Sequence, residues 1–456
     1  MGKIIDQLSE YMIAARVAEL PPEVGTKAKH HVLDTLAAMV SGSRLKPGRL
    51  AIQFARAQKG KKESGVIGTP IVTSATTAAF ANGILAHADE TDDSNQHART
   101  HPGCSIVPAA WAMAERQNSS GKALLNAVVL GYDLGCRVTR ALGARSLGNH
   151  STHSIGGTFG AAAAAGSLAH LDARQVSYLL SYAAQQASGV RSWVADDEHV
   201  EKAFDFGGMP ARNGVTAALL VHAGFTGMRD VFQGERNFLE AYSPSPNPEE
   251  IVRELGIRYE IMLTSIKKFP VGFPIQAAAD ALLRILEQQK LRAQDVAQVV
   301  VRLPEDGART VDNRTMPDIN LQYILTVLLL DGRLTFDAAH DYERMRAPDL
   351  LEVKAHVHLK PDEELTRSPI PAQAIVEVTT GDGQTLREHV VSFRGAAENP
   401  MTTEEVEEKA RGLMAPILGA ERVERLLDAL RNLETVPTVR DLRSLLTPES
   451  QREKTA

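Results

Sequence analysis

The densest chemistry in the chain lies in residues 81–102, ANGILAHADETDDSNQHARTHP. Three histidines (His87, His97, His101) and four acids (Asp89, Glu90, Asp92, Asp93) fall within fifteen positions there. Clustered imidazoles beside carboxylates suit proton transfer near neutral pH, where imidazole changes its charge. A solvated polar connector is the plain alternative for any charge-rich stretch. The histidines weigh against it, because surface loops favour Lys, Glu and Ser. A metal site is the other functional reading: His97 and His101 are four apart and would share one face of a helix, with carboxylates nearby. Against it, Pro102 pushes His101 towards extended backbone, and the spacing matches no zinc motif. The expectation is therefore an acid/base site without a metal.

The elements that must position this segment change character along the chain. Residues 1–266 read as helix after helix, with apolar residues at helical spacing and Gly or Pro between runs. The glycines of 156–166 fit neither nucleotide-binding loop pattern, so they are read as small residues in a closely packed helix. After Lys267 the texture alternates. Val296–Leu303 (VAQVVVRL), 373–380 (QAIVEVTT) and 386–393 (LREHVVSF) each read as a half-buried strand. Gly381-Asp382-Gly383 between the last two signals a hairpin, since such residues tolerate positive φ. Segments 275–288 and 321–330 look helical. From 402 to 446 the helical pattern returns, opened by Thr402-Thr403-Glu404-Glu405, hydroxyl caps followed by first-turn acids. The fold class expected is mainly α with α+β: a large helical domain of 1–266 completed by 396–456, and a smaller inserted α+β lid of 267–395. Two crossings between domains would make a cleft, where small ligands usually bind. The end, 448–456, is polar and reads as frayed.

Composition narrows the partners. The 456 residues carry 50 Lys plus Arg against 56 Asp plus Glu, a net charge of -6, which argues against a broad nucleic-acid surface. It leaves a small anion open, because a few local cations decide that. Two cysteines, Cys104 and Cys136, are too few for a disulfide scaffold, so a reducing compartment is expected. Residues 1–18 lack the pattern of a signal peptide, and no stretch approaches the roughly 20 apolar residues of a membrane span. A cytoplasmic protein without membrane contact is the expectation.

With these residues in view, the sequence resembles the MmgE/PrpD family of 2-methylcitrate dehydratases, cis-aconitate decarboxylases and iminodisuccinate epimerases. The resemblance runs from Asp34-Thr35 to the C-terminal helices. Its carriers are Asn82-Gly83, His87-x-x-Glu90-x-Asp92-Asp93, His101-Pro102, Gly131-Tyr132, 150–164 (HSTHSIGGTFGAAAA) and 202–213 (KAFDFGGMPARN). Ala223-Gly224-Phe225-Thr226-Gly227, Lys267-Lys268-Phe269-Pro270 and Asn320-Leu321-Gln322-Tyr323 complete the set. The resemblance implies a helical domain plus a smaller lid, a homodimer, and no metal or organic cofactor. It also implies a small polycarboxylic acid as substrate.

Chemistry next to a carboxylate needs a base, an acid and fixed cations. The resemblance assigns His101 as the main acid/base, with Glu90 as an acidic residue of the site and Tyr323 as a proton or hydrogen-bond donor. His150 or His153 would be a further site histidine. Lys202 and Lys267 would bind carboxylates, and Ser94, Asp93 and Asp205 complete the substrate-binding positions. Taken singly, Lys202 would be a surface lysine and Tyr323 a core tyrosine; their common membership in one pattern argues otherwise. The expected activity is a lyase dehydrating a hydroxy-polycarboxylic acid. The alternatives are epimerisation or decarboxylation of a related acid, and a catalytically silent binding protein. This chain departs from the family at Asp205, where many relatives have histidine, and at Val271-Gly272, where histidine or cysteine is common. Both limit transfer of a tricarboxylate substrate. The run 191–199 (RSWVADDEH) could rebuild part of a pocket or be a surface connector.

Overall fold

The computed structural model describes residues 4–58, 60–143, 148–370 and 372–448. The start of the 1–18 segment and the polar end from 449 onward lie outside them. The chain is mainly α with a smaller α+β part, and it divides into two compact units. The first comprises Met1–Ala88, Asp92–Thr264 and Thr403–Ala456; the second comprises Asp89–Thr91 and Ser265–Thr402. Among the described residues, no helix is long and apolar enough to cross a membrane.

The first unit is built on helices α1 (Pro22–Gly42), α2 (Ala75–Ala86), α3 (Gly103–Gln117), α4 (Gly121–Ala141), α5 (Thr152–Leu168) and α6 (Met209–His222). α5 is central, packing against α3, α4 and α6. Its small residues explain the close approach. A Cβ at Gly160 would lie 2.7 Å from the Gly131 carbonyl oxygen of α4, and one at Gly135 would lie 2.6 Å from that of Gly156. The glycines of this stretch thus serve helix packing. The C-terminal helix Thr403–Leu418 returns to pack on α1, where the Lys409 ammonium meets the buried Asp34 carboxylate at 2.6 Å.

Between Val200–Ala203 and α6 the chain makes a π-helical turn, Phe204–Gly208. Such a turn holds one residue more than an α-helical turn and occurs often at functional sites. Its backbone touches that of α2: a Cβ on Gly207 would fall 2.0 Å from the Gly83 carbonyl oxygen. Gly207→Ala is therefore expected to cost about 1–3 kcal/mol through overpacking. A thermal-denaturation midpoint equal to that of the parent chain would refute it.

The second unit holds α7 (Ile275–Gln289), β1 (Val296–Leu303), α8 (Leu321–Asp331), β2 (Val357–Pro361), β3 (Ala374–Thr380) and β4 (Thr385–Val390). The strands form one sheet in the order β2-β1-β3-β4, antiparallel except for the parallel β1–β2 pair. Val299 and Val301 of β1 and Val376 and Val378 of β3 are buried in a core shared with α7 and α8. At the hairpin tip, positive φ falls on Gly383 alone (88°), and the Gly383 N–H donates to the Thr380 carbonyl at 3.0 Å. Strand β2 was not among the segments expected from the sequence.

Candidate active site

Helix α2 starts at Ser74, whose hydroxyl accepts from the Thr77 N–H at 3.2 Å, and ends at Ala86, leaving His87 as its C-cap. The chain then loops to α3. Within this loop Asn95 and Thr100 exchange backbone hydrogen bonds of 2.8 and 3.2 Å, and Arg99 takes a positive φ of 52°. Residues 97–101 are therefore not helical, and His97 is exposed. The shared helix face on which the metal reading of His97 and His101 relied does not form.

The two neighbouring acids of the loop do different work. Asp92 is fully buried, and its carboxylate bridges two imidazoles: Oδ2 to His87 Nδ1 at 2.9 Å and Oδ1 to His101 Nδ1 at 3.1 Å. An ionised Asp92 accepts from both rings, so Nδ1 carries the proton in each and Nε2 is the basic nitrogen. The His87 Nε2 is buried with no hydrogen-bond partner among the described residues. Asp93 faces the helices instead. Its Oδ2 accepts from Tyr132 Oη at 2.5 Å and from His31 Nδ1 at 2.7 Å, and its Oδ1 accepts from the Gly103 N–H at 2.9 Å. That places a carboxylate at the N-terminus of α3, where the helix dipole favours it. With three donors and no exposure, Asp93 ties α1, α3 and α4 together. Its observed partners are all protein groups: the Tyr132 hydroxyl, the His31 imidazole and the Gly103 N–H.

Phe206, in the π-helical turn, gathers the other site candidates of the first unit. His153 stacks on its ring at 3.6 Å between centroids and His87 at 4.3 Å, while His101 meets it edge to face at 5.4 Å. Trp193 lies 4.7 Å from the same ring, and the Lys202 ammonium sits 5.3 Å above it. His101 and His153 are 5.2 Å apart. Burial holds the His153 imidazole well below its ordinary pKa, and the neighbouring His101, His87 and Lys202 add to that effect. His153 is thus a neutral imidazole at neutral pH, with a buried Nδ1 that has no partner among the described residues. His150, the other histidine expected here, is exposed and packs on Tyr242 at 5.0 Å. Between the two, the geometry places His153 with His101. Ser94 is buried in the loop and accepts from Gln96 Nε2 at 2.8 Å.

Asp205 is also buried, yet its partners are protein. The Ser151 hydroxyl donates to its Oδ2, and a Cβ at Gly189 would lie 2.5 Å from its Oδ1. Ser151 is the residue that leads into α5, so Asp205 anchors the helix that presents His153. Burial raises the Asp205 carboxyl from its usual 3.8 to about 7, while the Ser151 and Ser154 hydroxyls pull the other way. A carboxyl more basic in the folded chain than in the unfolded one holds its proton more tightly when folded. Its favourable contribution is complete below the unfolded value, falls as pH rises towards 7, and stays lost above. Asp205→Asn is expected to flatten that fall. Urea midpoints at about pH 4.5 and about pH 7.5 test this, and equal slopes in variant and parent would refute it.

In the second unit Lys267 is fully buried and donates to the Glu90 carbonyl at 2.9 Å and to Glu90 Oε2 at 3.2 Å. Two expected site residues therefore neutralise each other. Nearby in sequence, Asp89 Oδ2 lies 3.1 Å from His340 Nε2, a contact too poorly aligned to count as a hydrogen bond. Burial disfavours the imidazolium of His340, but the Asp89 carboxylate outweighs it and raises the pKa to about 9. Tyr323 is fully buried in α8, and its hydroxyl donates to the Ala338 carbonyl at 2.6 Å. The core-tyrosine reading thus describes its observed contacts, with the hydroxyl already committed. Val271 and Gly272 cap the turn before α7, where the Gly272 N–H donates to the Asp318 carbonyl at 2.9 Å.

Sequence reasoning did not single out Asp92 from its neighbour Asp93, nor His87, Phe206 or Trp193. His87 stood in the histidine–acid cluster and in the motif His87-x-x-Glu90-x-Asp92-Asp93, but neither gave it a role of its own. Phe206 carried none beyond its place between Lys202 and two glycines.

An N-terminal helical unit with a histidine–carboxylate cluster, followed by an α+β unit, is the context for comparison with known proteins. The MmgE/PrpD N-terminal domain matches residues 6–251 and the MmgE/PrpD C-terminal domain matches residues 269–435. The chain belongs to the MmgE/PrpD family. It is 28% identical to the cis-aconitate decarboxylase of Homo sapiens, covering 99% of this chain and 96% of that protein. A cis-aconitate decarboxylase-like protein of Aspergillus oryzae is 27% identical, covering 98% of both chains. The cis-aconitate decarboxylase of Aspergillus terreus is 25% identical over 94% of this chain and 92% of its own.

Proposed function

We propose that this protein is a lyase acting on a small polycarboxylic acid through proton transfer at the carbon next to a carboxylate. The observation that carries this reading is the Asp92 carboxylate bridging the Nδ1 atoms of His87 and His101, with the Lys202 ammonium held over the same Phe206 ring that both histidines pack on. Asp92 fixes the tautomer of His101, so proton exchange with the ligand runs through Nε2. Lys202 pairs with a substrate carboxylate, and His153, held neutral, donates or accepts a second proton. Lys267, in the second unit, keeps Glu90 as its counter-ion. Proton transfer of this kind needs only a base, an acid and cations, so the reading takes no metal and no organic cofactor.

The names of the three relatives favour decarboxylation of an unsaturated tricarboxylate. In that reaction the carbon–carboxylate bond breaks, carbon dioxide leaves, and His101 protonates the carbon that keeps the electron pair. Dehydration is the second reading, favoured by two adjacent imidazoles, His101 and His153, one to take the carbon-bound proton and one to protonate the departing hydroxyl. Purified protein would be incubated with cis-aconitate and with hydroxy-tricarboxylates in deuterated water. Release of carbon dioxide with deuterium at carbon supports the first reading, and loss of water supports the second. Deuterium exchange without loss of either would replace the lyase by an epimerase, and no reaction or binding with any of these acids would overturn the proposal.

A further inference from the structure

The run 191–199 supplies a residue that the family resemblance does not account for. Arg191–Ala195 forms a short 3-10 turn, followed by Asp196, whose carboxylate accepts from the Glu198 N–H at 2.9 Å and the Lys202 N–H at 3.0 Å. That carboxylate therefore fixes where the turn stands relative to Lys202. Ser192 adds a second tie, donating to Glu201 at 2.7 Å. The turn carries Trp193 onto the histidine cluster. Its ring lies 4.7 Å from Phe206 and 5.6 Å from His153, nearly perpendicular to both, and the Lys202 ammonium is 5.7 Å from its centroid.

The indole nitrogen Nε1 is buried and meets no acceptor among the described residues. A buried N–H in that state costs about 1–3 kcal/mol, and buried tryptophans ordinarily find a partner. Two further buried ring nitrogens on the same Phe206 platform, His87 Nε2 and His153 Nδ1, share the condition. The indole N–H and the Lys202 ammonium, both beside the Phe206 ring, are donors for an oxygen-rich anion, while His87 Nε2 is an acceptor.

We propose that Trp193 is a specificity-determining residue whose indole N–H donates to an oxygen of a substrate carboxylate, the charge of which Lys202 balances. This rests on the polycarboxylate reading above and adds the donor that selects among such acids. The indole is a neutral donor of fixed direction, whereas the lysine supplies charge without direction. Together they hold a carboxylate in one orientation.

The test is binding of tricarballylate, a saturated tricarboxylate, measured by calorimetry on the full chain and on Trp193→Phe, which keeps an aromatic ring and removes the N–H. The expected result is about 10–100-fold weaker binding in the variant, with a thermal midpoint in the absence of ligand no lower than that of the parent chain. On a substrate that the parent chain turns over, KM rises while kcat stays within a few-fold. Intrinsic fluorescence of the parent chain gives an independent readout: Trp111, the other tryptophan, is fully buried in α3, so a saturable change on adding tricarballylate is expected from Trp193. Equal affinity of variant and parent, or an absent fluorescence response despite calorimetric binding, overturns the role of Trp193 and leaves the lyase reading standing. A parent chain that binds no carboxylate overturns both.

Discussion

Replacing His101 with glutamine lowers turnover by about 10²–10⁴-fold, the span of a general acid/base contribution, and leaves the fold intact. The ring is at the edge of the cluster rather than deep in a core, with 8% of its surface exposed and its Nδ1 held by Asp92 at 3.1 Å. Glutamine keeps a polar group of similar reach but cannot exchange a proton near neutral pH. Asp92→Asn should give a smaller loss on the same scale, because an amide no longer accepts from both rings and the His101 tautomer is released. The measurement is kcat with whichever acid the parent chain transforms, alongside urea midpoints for both variants. Turnover within threefold of the parent in His101→Gln would remove His101 from the mechanism.

Asp93→Ala, one residue further along, is expected to fail in another way. It leaves the Tyr132 hydroxyl, the His31 imidazole and the Gly103 N–H buried without their common acceptor. Breaking such a buried polar network costs about 3–5 kcal/mol, which shifts the unfolding midpoint by many degrees. Denaturant unfolding of the purified variant checks this, and a loss below about 1 kcal/mol would show that the network relaxes around the deletion. Adjacent acids are thus expected to separate cleanly, Asp92 in activity and Asp93 in stability.

That pair also shows where sequence reasoning runs out. Both are Asp in the same motif, and successive side chains leave the backbone in different directions. Only the course of the loop decides which one meets His87 and His101. By contrast, Val296–Leu303 was legible as a strand, because from Val299 onward one buried face writes its period of two into the chain, while the register shift at Val296–Gln298 breaks it before that. The opening of Thr403–Leu418 was legible from its hydroxyl and acids for an equally local reason. Strand β2 was not: in VHLKP only Val357 is buried, so no alternation marks it, and its partner β1 lies more than fifty residues back. Tyr323 matched a family pattern, yet its hydroxyl found a backbone carbonyl within its own unit, a long-range pairing that no local pattern encodes. Asp205 was recognisable as a departure, but its partners, Ser151 and Ser154, lie about fifty residues away and could be named only from the fold. Trp193 stood in a segment that reads equally well as connector or pocket wall, since a tryptophan in a short turn carries no period at all.

The π-helical turn Phe204–Gly208 constrains which changes in chain length the protein can accept. Removing one residue from it would heal the turn into ordinary helix and rotate everything before it by about 100° relative to everything after it. A deletion before Phe206 would turn Lys202 away from the Phe206 ring, and one after Gly207 would turn both that ring and the α2 contact relative to α6. Insertions and deletions should therefore be poorly tolerated between Lys202 and Asn213, whereas the exposed Gly381–Gly383 tip of the second unit should absorb them readily. A deletion scan scored for soluble expression would draw that boundary along the chain.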